Sequence, residues 1–430
     1  MPLIKQKKDP KSLTSSKFGK ILFIFIFSRF YALISTPQFY SEVANYYKNY
    51  LDINNLLKLP YYDFTFHESI ISALLLFLPH ILNIDLLSFQ SYNIYFSLMM
   101  LSIDIIVIYI LINFAKNNLN FNQNQLNSLL LYYSIFGGFF FFMIYNNNSL
   151  IMSLILVILM LVIINKNKLT KLQISAIAIS LITKVTTILF IPLIALKQAL
   201  NNKTNKEITI SFFIKLTSYF SAILILFFFI DILIGDKYLS NIFYQNNYLN
   251  IESIYSSVIY ILSKYNIVNY DFSFQDGQYF LVSSQFIGFF STLFCSTILL
   301  KYYIFLSFFI IKAKNFSLSK KSDNKLLVEI LLVTSLVTII FLKGFNSKYL
   351  IWIIPIISLI FSYNKDKLQK IFFTIIFLLS SYIYLFGYFN ILTFRDFDVL
   401  ILLIRNFLLI FIVTNMVISL YKKIHYGSRS

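Results

Sequence analysis

The amino-acid sequence predicts an all-α polytopic membrane protein of about 12 transmembrane helices, with a juxtamembrane helix in its first exterior loop. Three observations lead there. The 430-residue chain is 58% hydrophobic and 13% charged, with a mean hydropathy of +0.74; soluble domains carry about twice that charged share. The apolar residues form continuous runs near 20 residues long, the length of a membrane-crossing helix, not the ten-residue alternation of a membrane barrel. Lysines cluster between those runs, as the positive-inside rule requires. Soluble, disordered and fibrous classes are excluded, because no water-facing globule could hide this much Phe, Leu and Ile.

The net charge of +18 does not indicate a nucleic-acid partner, since its lysines are distributed among the loops between spans. Lysine outnumbers arginine 32 to 4. With Asn, Ile, Tyr and Phe also abundant, the composition reflects a bias toward A- and T-rich codons, so single lysines and asparagines carry little weight. The one cysteine, Cys295, excludes a disulfide framework and a cysteine-built metal site.

Residues 1–18 form a basic tail that places the N-terminus in the cytoplasm, and the span 19–36 that follows has no cleavage site, so it is retained. Residues 37–91 make the first exterior loop. Its stretch 69–84 (SIISALLLFLPHILNI) is short and broken by Pro79 and His80. It reads as a helix lying in the interface, because a crossing there would put the basic loop KNKLTK (166–171) outside.

The remaining spans fall at 92–115, 126–145, 149–165, 172–184, 186–197, 212–235, 279–311, 326–343, 349–363, 370–390 and 398–421. The pair 172–184 and 186–197 is too short for two full crossings at about 1.5 Å per residue and reads as a broken or tilted hairpin. Residues 236–278 make a second long exterior loop. The chain is thus one membrane domain, 1–430, with both termini cytoplasmic and a multi-pass location in the cell membrane, or in the endoplasmic reticulum if eukaryotic. It shows no inverted repeat of the transporter kind.

Five of the 18 acidic residues crowd into 42–85: Glu42, Asp52, Asp63, Glu68 and Asp85. Each alone reads equally as a solvated loop carboxylate. Together, just outside the first span, they offer a carboxylate whose partial desolvation would make it a useful base. Cations sit on the same expected face. Lys184 marks the apex of the short hairpin, and Lys343 and Lys348 bracket the outer turn GFNS against the positive-inside trend. Arg29, inside the first span, suits a phosphate oxygen pair or an acid partner such as Asp104 or Asp231. Asn146–Asn148 form a tight outer turn, and Gly137-Gly138 permits close helix packing. His67, His80 and His425 lack the spacing of a helical zinc site. The arrangement suits a lipid phosphate processed at the outer membrane surface.

Three stretches carry a resemblance to a known family. Ser41 to Ile70 holds an acid and tyrosines after the first span, then Pro60, Tyr61, Asp63 and Phe64 of a "PY-x-DF" segment. Tyr145 to Pro192 places Lys184 and Pro192 in a "K…P" passage. Lys343 to Pro355 (KGFNSKYLIWIIP) matches a "K…Y-x-x-W" motif at Lys343, Tyr349 and Trp352, the sole tryptophan. In this the chain resembles the GT-C superfamily of membrane glycosyltransferases. The closest look is to the polyprenol-phosphate-mannose-dependent type (glycosyltransferase family 87) and the catalytic subunit of GPI mannosyltransferase I. It departs from them at Ser69 and Ile70 (a diproline in the family), at His67 (a glutamate), at Asn146–Asn148 (an aspartate) and at Lys348 (a glutamine).

The resemblance implies a GT-C-like bundle that moves a hexose, mannose in the nearest types, from a polyprenyl-phosphate-linked donor to a lipid, glycan or protein acceptor, with inversion. Glu42 would be the catalytic base, with Asp63 and Glu68 as catalytic carboxylates able to substitute for it, as acceptor-positioning groups or as ligands of a divalent cation (Mg or Mn). Arg29, Lys184, Lys343 and Lys348 would bind the donor phosphate. Tyr46, Tyr61, His67, Asn147 and Tyr349 would contact substrate. The expected partners are the lipid-linked donor, the acceptor and membrane lipids, with no nucleic acid. A polyprenyl-phosphate flippase or transporter and a non-catalytic scaffold are the alternative classes.

Overall fold

The computed structural model describes residues 10–34, 42–56, 70–81, 88–164, 170–199, 205–234, 248–275, 278–282, 285–312, 321–393 and 395–426. The apolar runs are helices: α1 (Pro10–Ile34), α5 (Phe89–Leu119), α6 (Gln123–Phe139), α7 (Ser149–Ile164), α8 (Lys171–Thr183), α9 (Ile191–Ala199) and α10 (Asn205–Ile234). They continue as α12 (Gln285–Lys312), α13 (Lys321–Phe341), α14 (Leu350–Tyr363), α15 (Lys367–Tyr382), the short α16 (Tyr388–Leu392) and α17 (Asp396–Tyr426). Among the described residues, six helical stretches are long and apolar enough to cross a membrane. This is a polytopic membrane protein, almost wholly helical.

Core and rim helices differ in how the sequence clothes them. α7 and α14 are apolar on nearly every face and buried on nearly every face, as expected of helices at the centre of a bundle. α14 packs on α5, α6, α7 and α13, and α1 lies along α6. At the rim, α10 and α12 turn Phe213, Leu224, Phe228, Phe289, Phe290 and Leu300 outward. So much exposed apolar surface would be insoluble in water and is ordinary against lipid chains.

Two short helices, α3 (Ile70–Leu76) and α4 (Leu78–Ile81), occupy the stretch read as interfacial. At about 1.5 Å per residue neither crosses a bilayer. Tyr92 and Tyr95 at the start of α5 donate hydrogen bonds to the carbonyls of Leu76 (3.2 Å) and Leu75 (2.8 Å), fastening α3 beside the bundle. The chain is broken where expected: α8 ends at Thr183, Lys184 caps it, and a 3-10 turn, Val185–Phe190, leads into α9.

Two regions correct the sequence reading. The stretch 37–91, read as a loop, contains a helix of its own, α2 (Glu42–Leu56), whose Val43, Tyr46, Tyr50 and Ile53 are buried at helical spacing. The stretch 236–278, also read as a loop, contributes to a three-stranded antiparallel sheet of order β1-β3-β2: β1 (Tyr248–Asn250), β2 (Asp271–Gln275) and β3 (Gln278–Val282). Helix α11 (Ile254–Lys264) lies between the first two strands. β3 takes the residues assigned to the start of the span 279–311, and the helix α12 begins at Gln285. The run YFLV is apolar whether it pairs or spans, so hydropathy could not separate the two.

Candidate functional site

The site grows from the turn between α13 and α14. Asn346 fixes it: its side-chain oxygen accepts from the backbone N–H of Lys348 (3.1 Å), capping a 3-10 turn, Ser347–Tyr349. Consecutive side chains then point to two different partners.

Ser347 turns to an anchor. Its backbone N–H donates to Glu252 Oε2 (3.0 Å), and its hydroxyl donates to the same oxygen. Arg405 of α17 donates to Glu252 Oε2 (2.9 Å), to the Ser347 hydroxyl (2.8 Å) and to the Glu252 carbonyl (2.6 Å). Asn406 joins through Ser257 Oγ (2.7 Å), and the guanidinium lies 4.8 Å from the Phe345 ring centre. Glu252 and Arg405 are fully buried. Two charges withdrawn from water in this way hold only because each is paired and hydrogen-bonded.

Lys348 turns to the expected carboxylate. Its ammonium is ion-paired with Glu42, the first residue of α2; a carboxylate there also favours the helix N-terminus. Tyr46, one turn on, donates to Glu42 Oε2 (3.3 Å). Asn148 Nδ2 donates to the Tyr46 hydroxyl (3.0 Å), and Lys184 Nζ donates to Asn148 Oδ1 (3.2 Å). Lys348, Glu42, Tyr46, Asn148 and Lys184 thus form one continuous chain drawn from four separate parts of the sequence. It carries two ammonium groups against one carboxylate. Tyr349 stacks on Trp352 (ring centres 4.4 Å apart) and lies 5.6 Å from the Lys348 ammonium. Tyr384, in a π-helical turn at Ile383–Gly387, lies in electrostatic reach of Glu42, Lys348 and Glu252. Such turns often mark functional positions.

Other expected residues fall elsewhere. Lys343 reaches Thr292 of α12 (3.2 Å), and burial lowers its pKa below the ordinary lysine value. Asn147 holds its own turn, donating to the Met143 carbonyl (2.9 Å) and accepting from Ser149 N–H (2.8 Å); its neighbour Asn148 joins the chain instead. Asp63, Glu68, Tyr61 and His67 lie outside the described residues.

Arg29 requires a correction. It is not among the outer cations: it pairs with Asp104 at 2.6 Å in the interior, where Tyr133 and Tyr145 also donate to that carboxylate. A Cβ at Gly137 would meet Arg29 Nη1 at 2.5 Å, so the glycine makes room for the guanidinium. Arg29 and Asp104 satisfy one another as intramembrane charges usually do.

The sequence reading left Glu252 unremarked within the loop 236–278 and passed over Arg405. Arg405 had a signal, being one of four arginines and falling within an apolar run. Comparison of the chain with family models, with curated proteins and with solved structures finds no match.

Proposed function

We propose that this protein is an integral-membrane glycosyltransferase of GT-C type, with 12 crossings, both termini cytoplasmic and the Glu42 chain on the outer face. It transfers a hexose, mannose by the resemblance, from a polyprenyl-phosphate donor to a lipid, glycan or protein acceptor. The observation that carries this reading is the single hydrogen-bonded chain joining Glu42 to Lys348 on one side and, through Tyr46 and Asn148, to Lys184 on the other. A carboxylate linked to two ammonium groups can take a proton and stabilise a departing phosphate.

In this mechanism the donor phosphate draws Lys348 away from Glu42, freeing the oxygen that the ammonium covers. Glu42, steadied by Tyr46, accepts the proton of an acceptor hydroxyl as its oxygen bonds to the anomeric carbon. The bond from that carbon to the phosphate oxygen breaks on the opposite face, so the configuration inverts. Lys348 and Lys184 bear the negative charge left on the polyprenyl phosphate, and Lys343 adds to the local positive potential. Asp63, Glu68, Tyr61 and His67 belong to the loop that would receive the acceptor. A divalent cation would draw on Asp63 and Glu68; among the described residues no group of three His, Cys, Asp or Glu could hold one, and no step above runs through a metal.

The test is purified protein in proteoliposomes supplied with polyprenyl-phosphate-linked hexoses. Transfer predicts an inverted glycoside and an equal amount of free polyprenyl phosphate. Movement of the donor between leaflets without glycoside would replace the reading with a flippase. Neither activity across the donor panel would leave a scaffold.

A further inference from the structure

A second groove opens beside the Glu252–Arg405 anchor, and its chemistry is the reverse of the Glu42 chain. α11 begins two residues after Glu252 and runs 11 residues, about 16 Å. α17 begins nine residues before Arg405 and packs on α11. Where these two helices end and begin, together with the connector into β2, they enclose a cavity of about 920 Å³. Lys264, Asp271, Asp396, Tyr270, Val399 and Leu400 are among the residues that line it. Lys264 pairs with Asp396 at 3.0 Å, both well exposed, and Asp271 is also exposed.

In a chain of net charge +18, this lining carries two carboxylates against one ammonium. A phosphate would be repelled here and drawn to Lys184 and Lys348. Exposed carboxylates accept hydrogen bonds from paired hydroxyl groups. A tyrosine and two aliphatic side chains in the same lining offer flat, half-apolar surface for the C–H face of a pyranose ring. We infer that this groove is a carbohydrate-binding subsite that takes an uncharged oligosaccharide, the outer part of an extended acceptor. The inference rests on the transferase reading for the identity of that acceptor. α11 starts two residues past Glu252, and Arg405 lies nine residues into α17, so the helices that line the groove are tied to the Glu252–Arg405 anchor and through it to Ser347.

The experiment uses the full-length protein in detergent, titrated with neutral manno-, gluco- and galacto-oligosaccharides and followed by saturation-transfer NMR. Saturable binding of at least one series is expected. It should weaken about tenfold or more in the Asp271→Ala/Asp396→Ala double variant, which removes charge-assisted hydrogen bonds, and persist in Glu42→Gln. Both substituted side chains are exposed, and an unchanged thermal transition verifies that the variant folds. Absence of saturable binding across the panel, or equal binding by the double variant, overturns the inference. Oligosaccharide binding without transfer from any lipid-linked donor would leave the groove standing and remove the transferase reading. Transfer with the same oligosaccharide KM in wild type and double variant would do the opposite.

Discussion

Ser347 and Lys348 are neighbours in sequence, yet the acids they meet live under different conditions. Glu252 is fully buried, shares Oε2 with Ser347 and Arg405, and gives its carbonyl to Arg405 and Asn406. Glu42 and Lys348 each keep about an eighth of their side-chain surface open (12% and 13%). A buried charge pair tied by several hydrogen bonds cannot exchange partners without stranding a charge. Glu42 and Lys348 keep some contact with water, so their pair can trade one anion for another at lower cost than the anchor. Under the proposed function, one side of the turn holds geometry and the other reacts.

Breaking the anchor should give the larger stability effect. Arg405→Met leaves Glu252 buried and unpaired, a loss of about 3–5 kcal/mol, read as a marked fall in the thermal unfolding midpoint. The conservative Arg405→Lys should recover little of it, since one ammonium cannot reproduce the forked contacts to Glu252 and Ser347.

Gly137→Ala probes the interior pair Arg29–Asp104. The added methyl meets the guanidinium and should cost about 1–3 kcal/mol as an overpacked core, again seen in the unfolding midpoint. Donor affinity should be unchanged, because the correction above removes Arg29 from the phosphate-binding set.

Lys348→Gln, on the exchangeable side, should lower stability by less than Arg405→Met does, since Glu42 keeps its contact with Tyr46 and some contact with water. It should weaken binding of a polyprenyl-phosphate sugar about tenfold, the loss of one charge-assisted contact. A fall in stability comparable to Arg405→Met would erase the distinction between the two sides of the turn.

The smallest effect concerns Lys343. Burial holds its pKa below the ordinary 10.5, so the folded state binds fewer protons than the unfolded chain in that window. Stability therefore rises slightly as pH climbs from the lowered value toward 10.5. Lys343→Met should flatten this slope in melts run across alkaline pH.

Much of this arrangement was legible in the sequence, for definite reasons. Helix positions followed from long apolar runs, because that signal is continuous over many residues. Glu42, Lys184 and Lys348 stood out as charges at helix ends, where charge is scarce. Helix α2 also had a signal, the spacing of Val43, Tyr46, Tyr50 and Ile53, which a reading focused on acids overlooked. The anchor was less accessible, since Glu252 and Arg405 are 153 positions apart and no local pattern joins them. Asn147 and Asn148 could not be told apart, because which of two adjacent amides caps the turn depends on how the helices close around it. Nor could β3 be told from a span start, as its apolar run continues toward α12.

The central claim is that Glu42 takes the acceptor's proton. Its most direct test is Glu42→Gln in proteoliposomes, with donor binding and sugar transfer measured on the same preparation. The account predicts that transfer falls about 10²–10⁴-fold, the usual contribution of a general base, while donor affinity stays within a few-fold of wild type. Transfer at the wild-type rate by a well-folded Glu42→Gln protein would contradict it.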